Sequence, residues 1–310
     1  MCLPHLPCMG DRGYQTQATA FALDSLQSCG RAVVQLPTGS GKTRVALRVA
    51  QAWLRGRDRR VYLITPSEET ISQTVIAARL LGLRPMIDAG NEHASRHAPF
   101  IISTYASAWR RHEKWIAKST LLLLDECHHV NFAAPVNADI LDRFDYGVGL
   151  SATPWSKGCM AYFRKNIFIY SLSRAIADGV NAQYEIKPWT EPVNGSYQIV
   201  YTNRQDVRES LKRIMQSCDY ASYSQPRARD IISRFRTGAI KTIVVNRMLT
   251  EGFDLPAIKR IWIARDTKSR IAAMQMAGRA LRAHKSRTAE LFISSAQTRV
   301  LLDEALKRAG

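Results

Sequence analysis

RAVVQLPTGSGKTRVALRVAQAWL, residues 31–54, changes character twice in twenty-four positions. RAVVQL (31–36) is a short, β-rich run with the look of a buried strand. KTRVALRVAQAWL (42–54) reads as a helix. Between them PTGSGKT packs two glycines against a Lys-Thr pair. A strand that enters a glycine-rich turn and leaves as a helix is the context a phosphate-binding loop requires. The glycines let backbone N–H groups turn inward around phosphate oxygens, and the helix N-terminus adds its positive dipole end. In this reading Thr38, Gly39, Ser40 and Gly41 form the cradle, Lys42 reaches the β- and γ-phosphates, and Thr43 ligates Mg²⁺. The strict pattern has glycine where this chain has Leu36.

The same alternation continues outward. RVYLIT (60–65), PFIIST (99–104), LLLLDE (121–126) and YGVGLS (146–151) are further buried-strand candidates, with a helix-like TISQTVIAARLLG at 70–82. Short apolar strands alternating with helices point to parallel βα units. The pattern breaks after Pro154, and residues 155–195 mix glycine, proline and aromatics, as a linker with some strand and helix of its own. A second set follows: YQIVYT (197–202), an amphipathic helix near 205–217, KTIVVN (241–246), RIWIAR (260–265), a helix near 268–282 and AELFIS (289–294). The expected organisation is therefore α/β, with a first lobe over 1–155, a linker over 156–195 and a second lobe over 196–310.

Bulk composition narrows the partners. The chain has 310 residues, enough for two ordinary domains, and 46% of them are apolar. Lys and Arg total 44 against 26 Asp and Glu, a net charge of +18. Such an excess favours a polyanionic partner, above all nucleic acid. Six cysteines, at 2, 8, 29, 127, 159 and 218, contain no CxxC pair, which argues against a zinc ribbon. The N-terminal residues lack the pattern of a secretory signal, and no apolar run is long enough to span a bilayer. An intracellular, cytoplasmic protein with reduced thiols is expected.

The stretch LLLLDECHHV (121–130) gathers five polar residues at the end of an apolar strand. A triphosphate on Lys42 needs Mg²⁺, and Asp125 stands at the C-terminal edge of a strand, where ligands of open α/β sheets bind. Glu126 is placed to polarise the attacking water. A tetrahedral zinc site is disfavoured, since Cys127, His128 and His129 are consecutive and converge poorly on one ion. A Cys-His nucleophile pair is weaker still, because neighbours on a strand point to opposite faces.

PTGSGKT, DECH (125–128) and SAT (151–153) together resemble motifs I, II and III of the superfamily 2 helicases and translocases, on the DExH side. Upstream, RGYQ (12–15) is similar to the Q-motif region, which implies that Gln15 contacts adenine. TPS (65–67) and STY (103–105) fall where motifs Ia and Ic lie, so their hydroxyls and amides, at Thr65, Pro66 and Thr104 in particular, are implied to hold nucleic-acid phosphates. In the second half NRMLTEGFDLP (246–256) resembles motif V, with Asn246 where many members have threonine and with Gly252 and Asp254 facing nucleotide. QMAGRALR (275–282) resembles motif VI. There Arg279 and Arg282, three apart on one helix face, are implied to face the γ-phosphate as arginine fingers, and Gln275 is implied to be a catalytic residue that links motif VI to His128. The resemblance adds Tyr201, Thr202, Asn246 and Arg247 to the nucleic-acid contacts. His128, Ser151 and Thr153 are implied to couple the ATP site to the rest of the machine.

What the resemblance implies is two RecA-like lobes, each a mainly parallel sheet flanked by helices, with an ATP cleft between them, using ATP and Mg²⁺. FRKNIFIYSLSRAIADGVNAQYEI (163–186), TEGFDLP and QMAGRALR are most similar to the group of restriction-enzyme motor subunits, RadD and UvsW-type branched-DNA translocases. DNA is thus favoured over RNA, on duplex or branched substrates, with a monomeric core, accessory protein partners possible in principle and no membrane. The alternatives are an RNA helicase on the same scaffold, and a motor subunit or nucleic-acid-binding module of a larger complex. Residues 259–288 hold nine Lys and Arg against one acid, Asp266, and could track a phosphate backbone. Trp109, Trp115, Trp155 and Trp189 could stack on bases but read first as packing residues.

Overall fold

The computed structural model describes residues 11–95, 97–111, 119–190, 192, 197–214, 218–221, 227–246, 258–282 and 288–310. Packing divides the chain into two compact units, one containing Gly41–Thr65 and Ile71–Ile169, the other containing Tyr170–Gly310.

The first unit is a seven-stranded sheet. Its strands are β1 (Arg31–Gln35), β2 (Arg60–Thr65), β3 (Met86–Ile87), β4 (Phe100–Thr104), β5 (Thr120–Asp125), β6 (Tyr146–Ser151) and β7 (Ile167–Ile169). They lie in the order β3-β4-β2-β5-β6-β1-β7. The β3–β4, β4–β2, β2–β5 and β5–β6 pairs are parallel. Every residue of β5 is buried, as a central strand covered on both faces must be, and this is why its four leucines show no alternation. Helices α1 (Gly13–Ser28), α2 (Lys42–Trp53), α3 (Glu68–Leu80), α4 (Tyr105–Arg111), α5 (Pro135–Asp142) and α6 (Lys157–Tyr162) accompany the sheet. The apolar cluster around Val33, Tyr62, Leu122, Leu124 and Phe163 includes Cys127 and Cys159, whose Sγ atoms are 3.8 Å apart.

The second unit holds α7 (Leu172–Ala177), β8 (Tyr184–Pro188), β9 (Gln198–Tyr201), α8 (Gln205–Ile214), β10 (Cys218–Ala221), α9 (Ala228–Thr237), β11 (Thr242–Val245), β12 (Arg260–Ile263), α10 (Arg270–Gly278), β13 (Ala289–Ile293) and α11 (Ala296–Ala309). Its six strands run β10-β11-β9-β12-β13-β8, every neighbouring pair parallel. Trp262 stacks on Phe292 at 4.4 Å and 7°, with Trp189 packed against the same cluster.

Two features differ from the sequence reading. The stretch 155–195 supplies an edge strand to each sheet: β7 to the first, and β8, which pairs with β13, to the second. Motif VI is also not one continuous helix over 268–282. Helix α10 ends at Gly278, Arg279 is its C-cap, and Arg282 forms an isolated antiparallel bridge with Asn181. Asn181 Nδ2 and the Ala182 N–H both donate to the Leu281 carbonyl, at 2.8 and 3.0 Å. Those bonds draw residues 281–282 out of the helical path, so the two arginines do not share a helix face.

Candidate active site

The glycine-rich loop has the backbone its composition calls for. Gly39 and Gly41 sit at φ +83° and +87°, conformations that L side chains resist. Between them Ser40 closes a turn on the Pro37 carbonyl, through Oγ at 2.6 Å and N–H at 3.3 Å. Helix α2 starts at Lys42, directly after Gly41. A Cβ on Gly41 would also stand 2.5 Å from Gln15 Nε2, so a side chain there would displace the Gln15 amide. Gln15 is oriented by its own helix end, where the Arg12 N–H donates to its Oε1 at 3.0 Å.

The DECH residues meet this loop from the end of β5. Lys42 is buried, and its Nζ lies 3.0 Å from Glu126 Oε1. Thr43 Oγ1 donates to Asp125 Oδ2 at 3.3 Å, and the Glu126 N–H donates to Asp125 Oδ1 at 3.1 Å. A hydroxyl and a carboxylate facing each other suit a hard divalent cation, which prefers oxygen ligands. Glu126 Oε2 lies 3.4 Å from His128 Nδ1, which in turn is 2.7 Å from Ser151 Oγ. Ser151 Oγ also accepts the Thr153 N–H at 2.9 Å. The structure thus joins Lys42, Glu126, His128, Ser151 and Thr153 in one connected polar line.

Cys127 faces away from this line, fully buried against Cys159. Burial, and then the neighbouring Cys159 thiol and the two carboxylates, push the Cys127 thiol well above its ordinary range. A buried, protonated thiol is a poor nucleophile and a poor metal ligand.

Gln275 is half-buried on α10 and Arg279 is buried at its C-cap. Thr65 is buried, its hydroxyl donating to the Ser103 carbonyl at 3.4 Å, and Pro66 is half-buried in the turn after it. Thr104 is buried and its Oγ1 accepts the Ser107 N–H at 3.3 Å, a cap for α4. Tyr201 and Thr202 are fully buried, and the Thr202 hydroxyl donates to the Ala264 carbonyl at 3.1 Å. The carbonyl and side-chain oxygens of Asn246 both accept from Arg265 Nη1, at 2.8 and 3.0 Å. Arg247, Gly252 and Asp254 lie outside the described residues.

Two residues joined to the site were not expected there: Asp11 carries no motif, and Tyr105 lies in STY (103–105), read only for nucleic-acid contact. Asp11 forms ion pairs with Arg44 at 2.5 Å and Arg48 at 2.7 Å, tying the start of the described chain to α2. Burial alone would raise its carboxyl, but the two guanidiniums overturn this and hold it below the usual range. The Tyr105 hydroxyl donates to the Asp125 carbonyl at 2.8 Å, across 20 positions of sequence.

Known proteins resemble the chain over both units. Residues 9–156 match the family model "Type III restriction enzyme, res subunit", and residues 191–284 match "Helicase conserved C-terminal domain". The DNA 3'-5' translocase XPB2 of Sulfurisphaera tokodaii is 31% identical over 144 residues, 46% of this chain and 30% of its own. Among solved structures, an ATP-dependent Type ISP restriction-modification enzyme, LlaBIII bound to DNA, superposes with a TM-score of 0.75 at 14% identity, over 97% of this chain and 30% of that one. S. cerevisiae Dbp5 (L327V) bound to RNA and ADP BeF3 gives 0.68 at 15%, over 95% and 87%. At such identities the structures speak to the fold alone: each unit is a RecA-like lobe. Taken together, the two family matches mark the chain as a superfamily 2 helicase-type protein, whose first part is similar to restriction-enzyme res subunits. It spans about a third of the length of the archaeal translocase and of the restriction-modification enzyme. No helix among the described residues is long and apolar enough to cross a membrane.

Proposed function

We propose that the chain is an ATP-driven motor on DNA, a nucleic-acid-stimulated ATPase that translocates along or unwinds duplex or branched DNA. The observation that carries the reading is the pairing of Lys42 with Glu126 beside that of Thr43 with Asp125, at the C-terminal edge of a parallel sheet. Lys42, released from Glu126, holds the β- and γ-phosphates together with the amides of Gly39–Gly41. Thr43 and Asp125 hold Mg²⁺, which neutralises phosphate charge when bound. Glu126 then accepts a proton from the attacking water as its oxygen bonds to the γ-phosphorus and the β–γ bridge breaks.

His128, Ser151 and Thr153 are assigned the coupling role by their continuity with Glu126. Arg279 and Arg282 take the γ-phosphate role, and Gln275 the link to His128, on the resemblance of motif VI, and Gly252, Asp254 and Arg247 take theirs on that of motif V. Gln15 contributes to nucleotide recognition through its place against Gly41. For DNA contact, the net charge of +18 and the resemblance to a DNA translocase support the reading more than the buried hydroxyls of Thr65, Thr104 and Thr202 do.

ATPase turnover measured with single-stranded DNA, duplex, a fork and RNA tests this. DNA stimulation exceeding RNA stimulation is expected, and no stimulation by any DNA would overturn it. RNA stimulation above DNA would transfer the reading to RNA, through contacts with the 2′-hydroxyl.

A further inference from the structure

Glu126 is one of four described non-glycine residues with positive φ, at φ +52° and ψ +52°. That left-handed conformation costs an L-residue on the order of 1 kcal/mol and persists only where the surroundings impose it. It is also the conformation from which the carboxylate meets both Lys42 and His128.

The peptide that precedes it is held at both ends. Its N–H donates to Asp125 Oδ1 at 3.1 Å, and its carbonyl, that of Asp125, accepts from Tyr105 Oη at 2.8 Å. With that plane fixed, φ of Glu126 is set by how the chain leaves it. The tyrosine is itself braced. It opens α4, and its ring lies 6.1 Å from Trp109, edge-on, and 6.0 Å from His129. His129, which follows the DECH residues without a sequence-derived role, thereby buttresses the residue that steadies them.

We propose that Tyr105 is a positioning residue for ATP hydrolysis: its hydroxyl fixes the Asp125–Glu126 peptide and so holds Glu126 in its working conformation. Tyr105 acts only through Glu126, and the proposal rests on the reading of Glu126 as the residue that activates water. Without the hydroxyl the peptide turns more freely, Glu126 relaxes toward ordinary backbone, and its carboxylate spends less time where hydrolysis needs it. The phosphate-binding groups of the glycine-rich loop are not touched by the change.

The test compares wild type, Tyr105→Phe, Glu126→Gln and the double variant. Phenylalanine keeps the ring between Trp109 and His129, so the fold is retained. Turnover is measured at saturating ATP and DNA, with equilibrium binding of a fluorescent ATP analogue alongside. Tyr105→Phe is expected to lower kcat about tenfold, the scale of one well-placed hydrogen bond, with analogue binding within about twofold of wild type. The double variant is expected to be no slower than Glu126→Gln alone, since a residue that works through Glu126 has nothing left to position. Turnover of Tyr105→Phe within twofold of wild type overturns the proposal. So does a double variant slowed by the full additional factor, or a loss of turnover matched by a loss of binding. Wild-type turnover in Glu126→Gln would instead remove the base assignment beneath it.

Discussion

At 3.0 Å from Lys42 Nζ, the Glu126 carboxylate occupies ground that a phosphate must contest. The two residues therefore fail in different ways. Lys42→Ala removes the charge that holds the phosphates and is expected to abolish ATP binding, read by equilibrium titration with a fluorescent analogue. Glu126→Gln keeps a neutral side chain of the same shape and is expected to bind ATP while turnover falls roughly 100-fold or more, the usual contribution of a general base. A Glu126→Gln protein with ordinary turnover would refute the base assignment. The residue types at these positions were legible in PTGSGKT and DECH, because phosphate and Mg²⁺ chemistry restricts them severely. The left-handed turn at Glu126 was not, since the hydroxyl that steadies it comes from Tyr105, 20 positions before Asp125, and STY (103–105) pointed to a nucleic-acid contact and not to Asp125.

Elements show where close packing sets limits. Gly149 lies in β6, and a Cβ there would stand 2.6 Å from Phe163 Cζ and 3.0 Å from Cys127 Sγ. Gly149→Ala is expected to destabilise the first lobe by about 1–3 kcal/mol through overpacking, visible as a lower melting temperature. An unchanged melting temperature would show that Phe163 yields freely. In the second sheet Glu290 of β13 accepts from Lys187 of β8 and Arg260 of β12, each at 2.6 Å, with Lys259 at 3.8 Å. Burial alone would raise its carboxyl. The Arg260 and Lys187 bonds outweigh that and lower it from an ordinary 4.5 to about 2. A depressed folded-state pKa adds stability above the unfolded value and loses it on acidification. Wild type should therefore exceed Glu290→Gln by up to about 3 kcal/mol near neutrality, and the gap should narrow from pH 4.5 and close near pH 2 in urea melts run across pH. A gap that stays constant with pH would assign the effect to shape and not to charge. The βα alternation made most of these strands readable, but not the short β3 and β10, nor β7 and β8. The last two are edge segments of three and five residues, partly exposed, and β8 interleaves charged residues with its apolar ones.

For the molecule as a whole, a net charge of +18 predicts how it meets the DNA on which it is proposed to act. Each phosphate contact releases counterions, so the DNA concentration giving half-maximal ATPase stimulation should rise at least roughly tenfold between 50 and 200 mM salt. Stimulation that ignores salt would place the basic residues on a merely solvated face. Charge of this size says little about which residues do the binding. The hydroxyls that the motif positions suggested, those of Thr65, Thr104 and Thr202, are all bonded inside their own lobes.

Sequence alone determined the two series of βα units, the phosphate loop and the identity of the acids, because each is written in residues that are neighbours along the chain. Glycine freedom, strand burial and helix initiation act over a few positions, so a short window suffices to read them. Tertiary structure alone decided which of these meet. Thr43 and Asp125 are 82 positions apart, and only the stacking of parallel strands brings their oxygens to 3.3 Å. It decided, too, that motif VI leaves its helix at Gly278, where bonds from Asn181 and Ala182 to the Leu281 carbonyl outweigh the local helical tendency. Pairing between distant segments depends on the whole fold, and no short stretch of this chain encodes it.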